Sequence, residues 1–193
     1  MIDQARPTDS FWVAVLAVLC ISGAACTATP VLETTATDVE RSIERFLAFY
    51  FQDYKRGLPD DSQLPQIATF VTPELLALFE AANRGADCYA KQFNYEGAPA
   101  VQGDLFSSLF EGATSATYRA IDQSGDTATV EIEWTNDDKH LDPLPLTWQD
   151  RIFLVQTANG WLISDFTHDG TWEFMMPANV SQILQAVADE CAG

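Results

Sequence analysis

The chain has 193 residues, 47% of them hydrophobic, which suits one domain with a packed core and excludes a disordered polypeptide. Its 28 acidic residues against 10 basic ones leave a formal charge of −18. A surface that negative repels nucleic acid and anionic lipid, while calcium, cationic ligands or a basic partner stay compatible with it.

The uncharged apolar run Phe11 to Ile21 is about eleven residues long, short of the roughly 20 that a bilayer-spanning helix needs. Ser22-Gly23-Ala24-Ala25 follow, small enough for the −3 and −1 subsites of a signal peptidase. Residues 1–25 are therefore predicted to be a signal peptide, residues 26–36 a tether, and residues 37–193 a single domain. Cleavage after Ala25 makes Cys26 the new N-terminus, where bacterial lipoproteins carry their lipid. Two features depart from that pattern: Asp3 and Asp9 flank Arg6, and Gly23 stands where Leu is preferred. Ordinary cleavage and an uncleaved N-terminal anchor are the alternatives. All three put the domain outside the cytoplasm, in the periplasm or at the cell surface, touching membrane only through a lipid or that anchor.

Thr37-x-x-Glu40 is a capping box, and Val39, Ile43, Phe46, Tyr50 and Tyr54 then recur on one helical face, with a stop expected near Gly57 and Pro59. Thr72-Pro73-Glu74 starts a second helix, whose Leu75, Leu76, Leu78, Phe79 and Ala82 face inward before Gly85. Gln92 to Gly112 is irregular. Ala116 to Ile121 reads as a strand and Gln123 to Asp126 as its turn. Thr127 to Trp134 alternates, with Ala128, Val130, Ile132 and Trp134 on one side. After the polar loop Asn136 to Pro145, Leu146 to Gln156 and Trp161 to Phe166 form two strands around the turn Thr157 to Gly160. Pro177 precedes an amphipathic helix carrying Val180, Ile183, Leu184 and Val187. The expected fold is α+β: early helices packed on a curved antiparallel sheet of three to four strands, cone-like, plus a C-terminal helix.

Of four cysteines, Cys20 leaves with the leader and Cys26 is the lipid candidate. Cys88 and Cys191 remain, either as a disulfide in an oxidising compartment or as two separate buried thiols. Neither has a neighbouring His or Cys, so neither resembles a metal ligand set or a catalytic thiol.

Several stretches carry a resemblance: Ile43 to Tyr54, Val71-Thr72-Pro73-Glu74-Leu75, Gln102-Gly103-Asp104-Leu105-Phe106-Ser107-Ser108 and Asn159-Gly160-Trp161-Leu162-Ile163-Ser164-Asp165. Over roughly Asp38 to Thr167 the chain resembles the nuclear transport factor 2-like superfamily, and within it a domain family of exported bacterial proteins without an assigned function. The resemblance implies a cone fold. It implies no chemistry, because that superfamily holds isomerases, dehydratases, polyketide cyclases and non-catalytic binding modules.

Enzymes of the resembling fold place a Tyr, a carboxylate or a His inside an apolar pocket. The candidates here are Tyr50 and Tyr54 on the first helix, Trp148 and Trp161 in strands, and Asp150, Asp165 and His168 on or after the late strands. Asp165 follows Ile163 by two and so shares its face in a regular strand; capping a turn or pairing with an arginine is the alternative. His168 and Asp169 are adjacent and should point apart. Trp134, Trp148, Trp161 and Trp172 line a pocket or pack the core. Asn136 to Asp142 gathers oxygen ligands but lacks the calcium-loop Gly and distal Glu, which favours a solvated hairpin tip. No metal or cofactor is expected. The functional expectation is a non-enzymatic envelope protein whose domain binds a small apolar ligand or another envelope protein. The alternative is a lyase, isomerase or cyclase using a pocket carboxylate and a helix tyrosine.

Overall fold

Helix α1, Ala36–Gln52, presents Val39, Ile43, Phe46, Phe49 and Tyr50 as one buried stripe. The computed structural model describes residues 36–94, 96–97, 99–140, 145–170 and 178–190. Residues 1–25, Cys26, Trp172, Pro177 and Cys191 lie outside the described residues, as does the side chain of Thr37. Tyr54 falls just past α1 rather than on it, because the helix ends five residues before Gly57. A one-turn helix that no periodicity announced, α2 (Leu64–Ile67), drops Ile67 into the core.

Thr72 then caps α3, Pro73–Gln92: its Oγ1 accepts from Leu75 N at 3.2 Å, and Pro73 sits where a missing N–H costs nothing. Helix α3 does not end at Gly85. A Cβ on Gly85 would lie 2.1 Å from the Val187 carbonyl oxygen, so this glycine marks the place where α4, Val180–Asp189, presses its backbone against α3. Close approach explains it, not termination.

The sheet runs β1 (Ser115–Ser124), β2 (Thr127–Asn136), β3 (Leu146–Thr157) and β4 (Gly160–Thr167), in that order and antiparallel throughout. Curled and unclosed, it gives the cone-like α+β fold that the sequence predicts. Register shifts at Tyr118/Ala120 and at Phe153/Leu154 are where such a sheet bends. Turn glycines Gly125 (φ 61°) and Gly160 (φ 105°) supply the left-handed backbone that the two tight hairpins need. At the free edge of β4, Val71 bridges Ile163 in parallel: Thr72 N donates to Ile163 O and Ile163 N to Phe70 O, each at 2.8 Å. That rung covers one edge of the sheet.

On the concave face, Ala128, Val130, Ile132 and Trp134 of β2 stand opposite Leu154, Ile152, Asp150 and Trp148 of β3. Helix α1 lies across this face, and Phe46 meets Phe166 at 4.9 Å, Phe106 at 5.5 Å and Trp134 at 6.4 Å between ring centroids. One face of the sheet is therefore apolar and covered, with a single carboxylate, Asp150, set into it.

Candidate functional site

The stretch between α3 and β1, irregular by sequence, closes into an ordered loop from Gly103 to Gly112. Asp104 N donates to Phe110 O at 3.0 Å and Gly112 N to Leu109 O at 2.8 Å, so the ends of the loop are held together. Both bracketing glycines have positive φ, +76° and +72°. At Gly112 a Cβ would also lie 2.4 Å from Asp104 Oδ2, so no other residue fits. The loop turns Leu105, Phe106 and Leu109 into the core and leaves Phe110 55% exposed.

Two buried carboxylates hold this loop from opposite ends. Asp104 Oδ1 accepts from Phe106 N at 2.7 Å and Ser107 N at 3.0 Å, while its Oδ2 accepts the Tyr50 hydroxyl. Tyr50 Oη in turn accepts Ala113 N at 2.9 Å. Asp150 reaches the other end from β3. Its Oδ2 accepts Ser108 N at 2.9 Å and Trp148 Nε1 at 3.2 Å; its Oδ1 accepts the Ser108 hydroxyl and Asp169 N at 2.8 Å. Ser108 Oγ also accepts Gly170 N at 2.9 Å, tying the loop to the chain beyond β4. Tyr54 completes the clasp, accepting Leu105 N and donating to Gly57 O, both at 2.9 Å.

Burial sets the electrostatics. It pushes the Asp104 carboxyl up to about 6, against the pull of the hydrogen bonds from Tyr50, Phe106 and Ser107. Burial, then the Asp104 charge, drives Tyr50 and Tyr54 far above the ordinary phenol range, so both are neutral donors. His168 is held below the usual imidazole range by burial, opposed by the charge of Asp150. Its Nε2 lies 3.0 Å from Leu105 O, which fits the neutral tautomer protonated at Nε2. Nδ1 of His168, Oγ of Ser107 and Nε1 of Trp134 are buried without a hydrogen-bond partner among the described residues.

Of the residues singled out by sequence, Tyr50, Tyr54, Trp148, Asp150 and His168 converge on this loop. Asp165 does not. Leu154 pairs with Ile163 but Phe153 with Asp165, so Ser164 is an extra residue in β4, and everything after it changes face. Phe166 turns inward and Asp165 outward, where its oxygens accept Ser181 N at 3.0 Å and Ser181 Oγ at 2.6 Å at the first turn of α4. Trp161 is buried in the core, away from the carboxylates' hydrogen bonds. His168 and Asp169 point apart as expected: Asp169 forms a bidentate pair with Arg151, at 2.6 and 2.8 Å. In the Asn136–Asp142 loop, Asn136 Nδ2 donates to Gly112 O at 2.6 Å and Asn136 Oδ1 accepts Asp138 N at 2.8 Å, while 141–144 lie outside the described residues. Cys88 is disulfide-bonded; Cys191 and Cys26 lie outside the described residues.

Asp104, Ser107 and Ser108 were missed as site residues. The available signal was local: Asp followed at two and three residues by backbone donors, directly after a glycine, is an Asx-type turn.

Among the described residues, aromatic rings crowd the interior of the cone. The Phe106 ring sits 4.9 Å from Tyr54, 5.1 Å from Phe166, 5.5 Å from Phe46, 6.0 Å from Phe79 and 6.2 Å from Phe49. No protein-family model, curated protein or solved structure matches the chain, so its chemistry is argued from its own residues.

Proposed function

We propose that this domain is a non-catalytic binding module exported to the cell envelope, with its address given by the leader and Cys26. The observation that carries the reading is Phe106: its ring occupies the space over the sheet that a substrate would need. The hydrogen bonding supports it. A general base needs a lone pair aimed at a substrate. Asp150 accepts four donors from its own chain and Asp104 accepts three. These carboxylates act as clamps on a loop. Binding then falls to the outer surfaces, to a small ligand or another envelope protein.

Titrating benzene into wild type and into Phe106→Ala, followed by the NMR signals of Phe46 and Phe166, tests the reading. A filled interior leaves wild type unshifted, while the variant, with a ring-sized cavity, takes up the probe. Benzene entering wild type would sink the proposal. Intact mass spectrometry of the envelope fraction tests the address: the expected species begins at Cys26, and a cytosolic chain that retains Met1 contradicts it.

One observation favours a second reading, a lyase, isomerase or cyclase. Asp104, with its carboxyl near 6 and the Tyr50 phenol against it, is a carboxylate–tyrosine pair of the kind acid–base chemistry uses. That reading needs Phe106 to leave the interior, so the benzene titration decides between the two.

A further inference from the structure

A cleft of about 430 Å³ is lined by the second half of α3 and by Gly97, Pro99, Ala100 and Val101, and none of the rings that fill the cone line it. That volume falls within the range of small-molecule sites. Ala86 and Ala90, one helical turn apart, line it with Tyr89 and Val101. The Tyr89 ring is backed by Phe93 at 4.8 Å, which gives the cleft an aromatic side.

Two opposite charges line the same cleft, Arg56 and Asp87, both exposed. Neither side chain forms an ion pair or hydrogen bond with another described residue, although the Arg56 charge reaches the buried Asp104 and Tyr54 from outside. The chain pairs other arginines readily: Arg41 with Asp38, Arg119 with Glu133 and Arg151 with Asp169. Beyond Asp87 a second cleft shares Leu58, Ala86 and Asp87 and adds Asp60 and Asp61, so the negative potential grows toward the Asp87 end. A ligand carrying only an anion would meet Arg56 but also the Asp87 charge, and one carrying only a cation would meet the reverse. A molecule with both charges satisfies both.

We infer that the Arg56–Asp87 cleft is a binding site for a small zwitterion of the amino-acid type. Its carboxylate lies on Arg56, its ammonium on Asp87, and its apolar or aromatic side chain against Ala86, Ala90, Tyr89 and Val101. Arginine's planar fork suits a carboxylate, and the ammonium end follows the rising negative potential. The assignment rests on the binding-module reading and supplies the ligand class for it.

L-phenylalanine, 3-phenylpropanoate and 2-phenylethylamine form a set in which each analogue lacks one charge. The purified chain is titrated with each, followed by the amide signals of Ala86 to Ala90 and Val101. L-phenylalanine should shift these signals saturably, with each analogue weaker by about tenfold or more, since each loses a charge-assisted contact. Arg56→Gln and Asp87→Asn, both at exposed positions and compatible with the fold, should each weaken L-phenylalanine by a similar factor. Three results overturn the assignment: no saturable shift with L-phenylalanine, an analogue binding as tightly as the zwitterion, or affinity unchanged in either variant. Failure here leaves the benzene result on the cone untouched, so the loss of this site and the loss of the binding-module reading are separable.

Discussion

Replacing Asp104 by Asn changes two things in the clasp: the carboxyl can no longer ionise, and a donor replaces the oxygen that accepts the Tyr50 hydroxyl. The amide oxygen still accepts Phe106 N and Ser107 N, while the lost Tyr50 bond lowers the variant's stability by an offset that leaves the slope against pH to the ionisation alone. In wild type the folded chain holds the Asp104 proton up to about 6, against 3.8 for a free aspartate. Between those values the folded state binds more protons than the unfolded one, so stability falls as pH rises through the window and stays lower above it. The stability present in acid and lost by neutrality is about 3 kcal/mol, at 1.36 kcal/mol per unit of pKa difference. The assay is urea unfolding of wild type and Asp104→Asn at half-unit steps from about pH 3.5 to pH 7.5. All other groups cancel in the difference. The stability of the variant relative to wild type should rise by about 3 kcal/mol across this range, most steeply between about 4 and 6. Parallel curves would refute the reasoning, because they would mean that Asp104 ionises in the folded chain at no cost.

His168 titrates with the opposite sign. Its folded pKa lies below the ordinary imidazole value, so its contribution is present at higher pH and is lost as pH falls through the folded value. His168→Gln, whose side-chain NH2 can still reach Leu105 O, should lose less stability on acidification below about 6.5 than wild type in the same urea series. Gly85→Ala would stabilise an ordinary mid-helix position by up to about 1 kcal/mol, but here should destabilise by about 1–3 kcal/mol, because α4 must move off the new methyl. A rise in the thermal midpoint of that variant would contradict the close approach of α4. Asp165→Asn should cost about 1 kcal/mol in urea unfolding, through the weakened bonds to Ser181 at the start of α4. Stability unchanged in that variant would contradict the capping of α4 by Asp165.

The strands were legible because one face is buried and the other is not. In β2 that contrast writes Ala128, Val130, Ile132 and Trp134 into the sequence as a strict alternation. The same rule failed at Asp165, since a bulge at Ser164 inverts the faces and leaves no mark in residue types. Gly85 is ambiguous in the sequence for a related reason. A glycine that ends a helix and a glycine that admits a neighbouring helix look alike until the neighbour, far along the chain at Val187, is in place. The two tyrosines and Asp150 were visible as apolar-face residues carrying polar tips. Their partners were not, because the loop from Gly103 to Gly112 has no periodicity and folds on contacts 42 to 63 residues away in sequence.

The claim on which the function rests is that this loop is a fixed plug and never a lid. Amide hydrogen exchange on Phe106, Ser107, Ser108, Asp169 and Gly170 measures that directly, since each of these amides is held by Asp104, Asp150 or Ser108. They should exchange only through global unfolding, as slowly as the amides of Val130 and Ile132 in the centre of the sheet. Exchange at these five amides through a local opening, orders of magnitude faster than at Val130, would contradict the account and make the cone an accessible pocket.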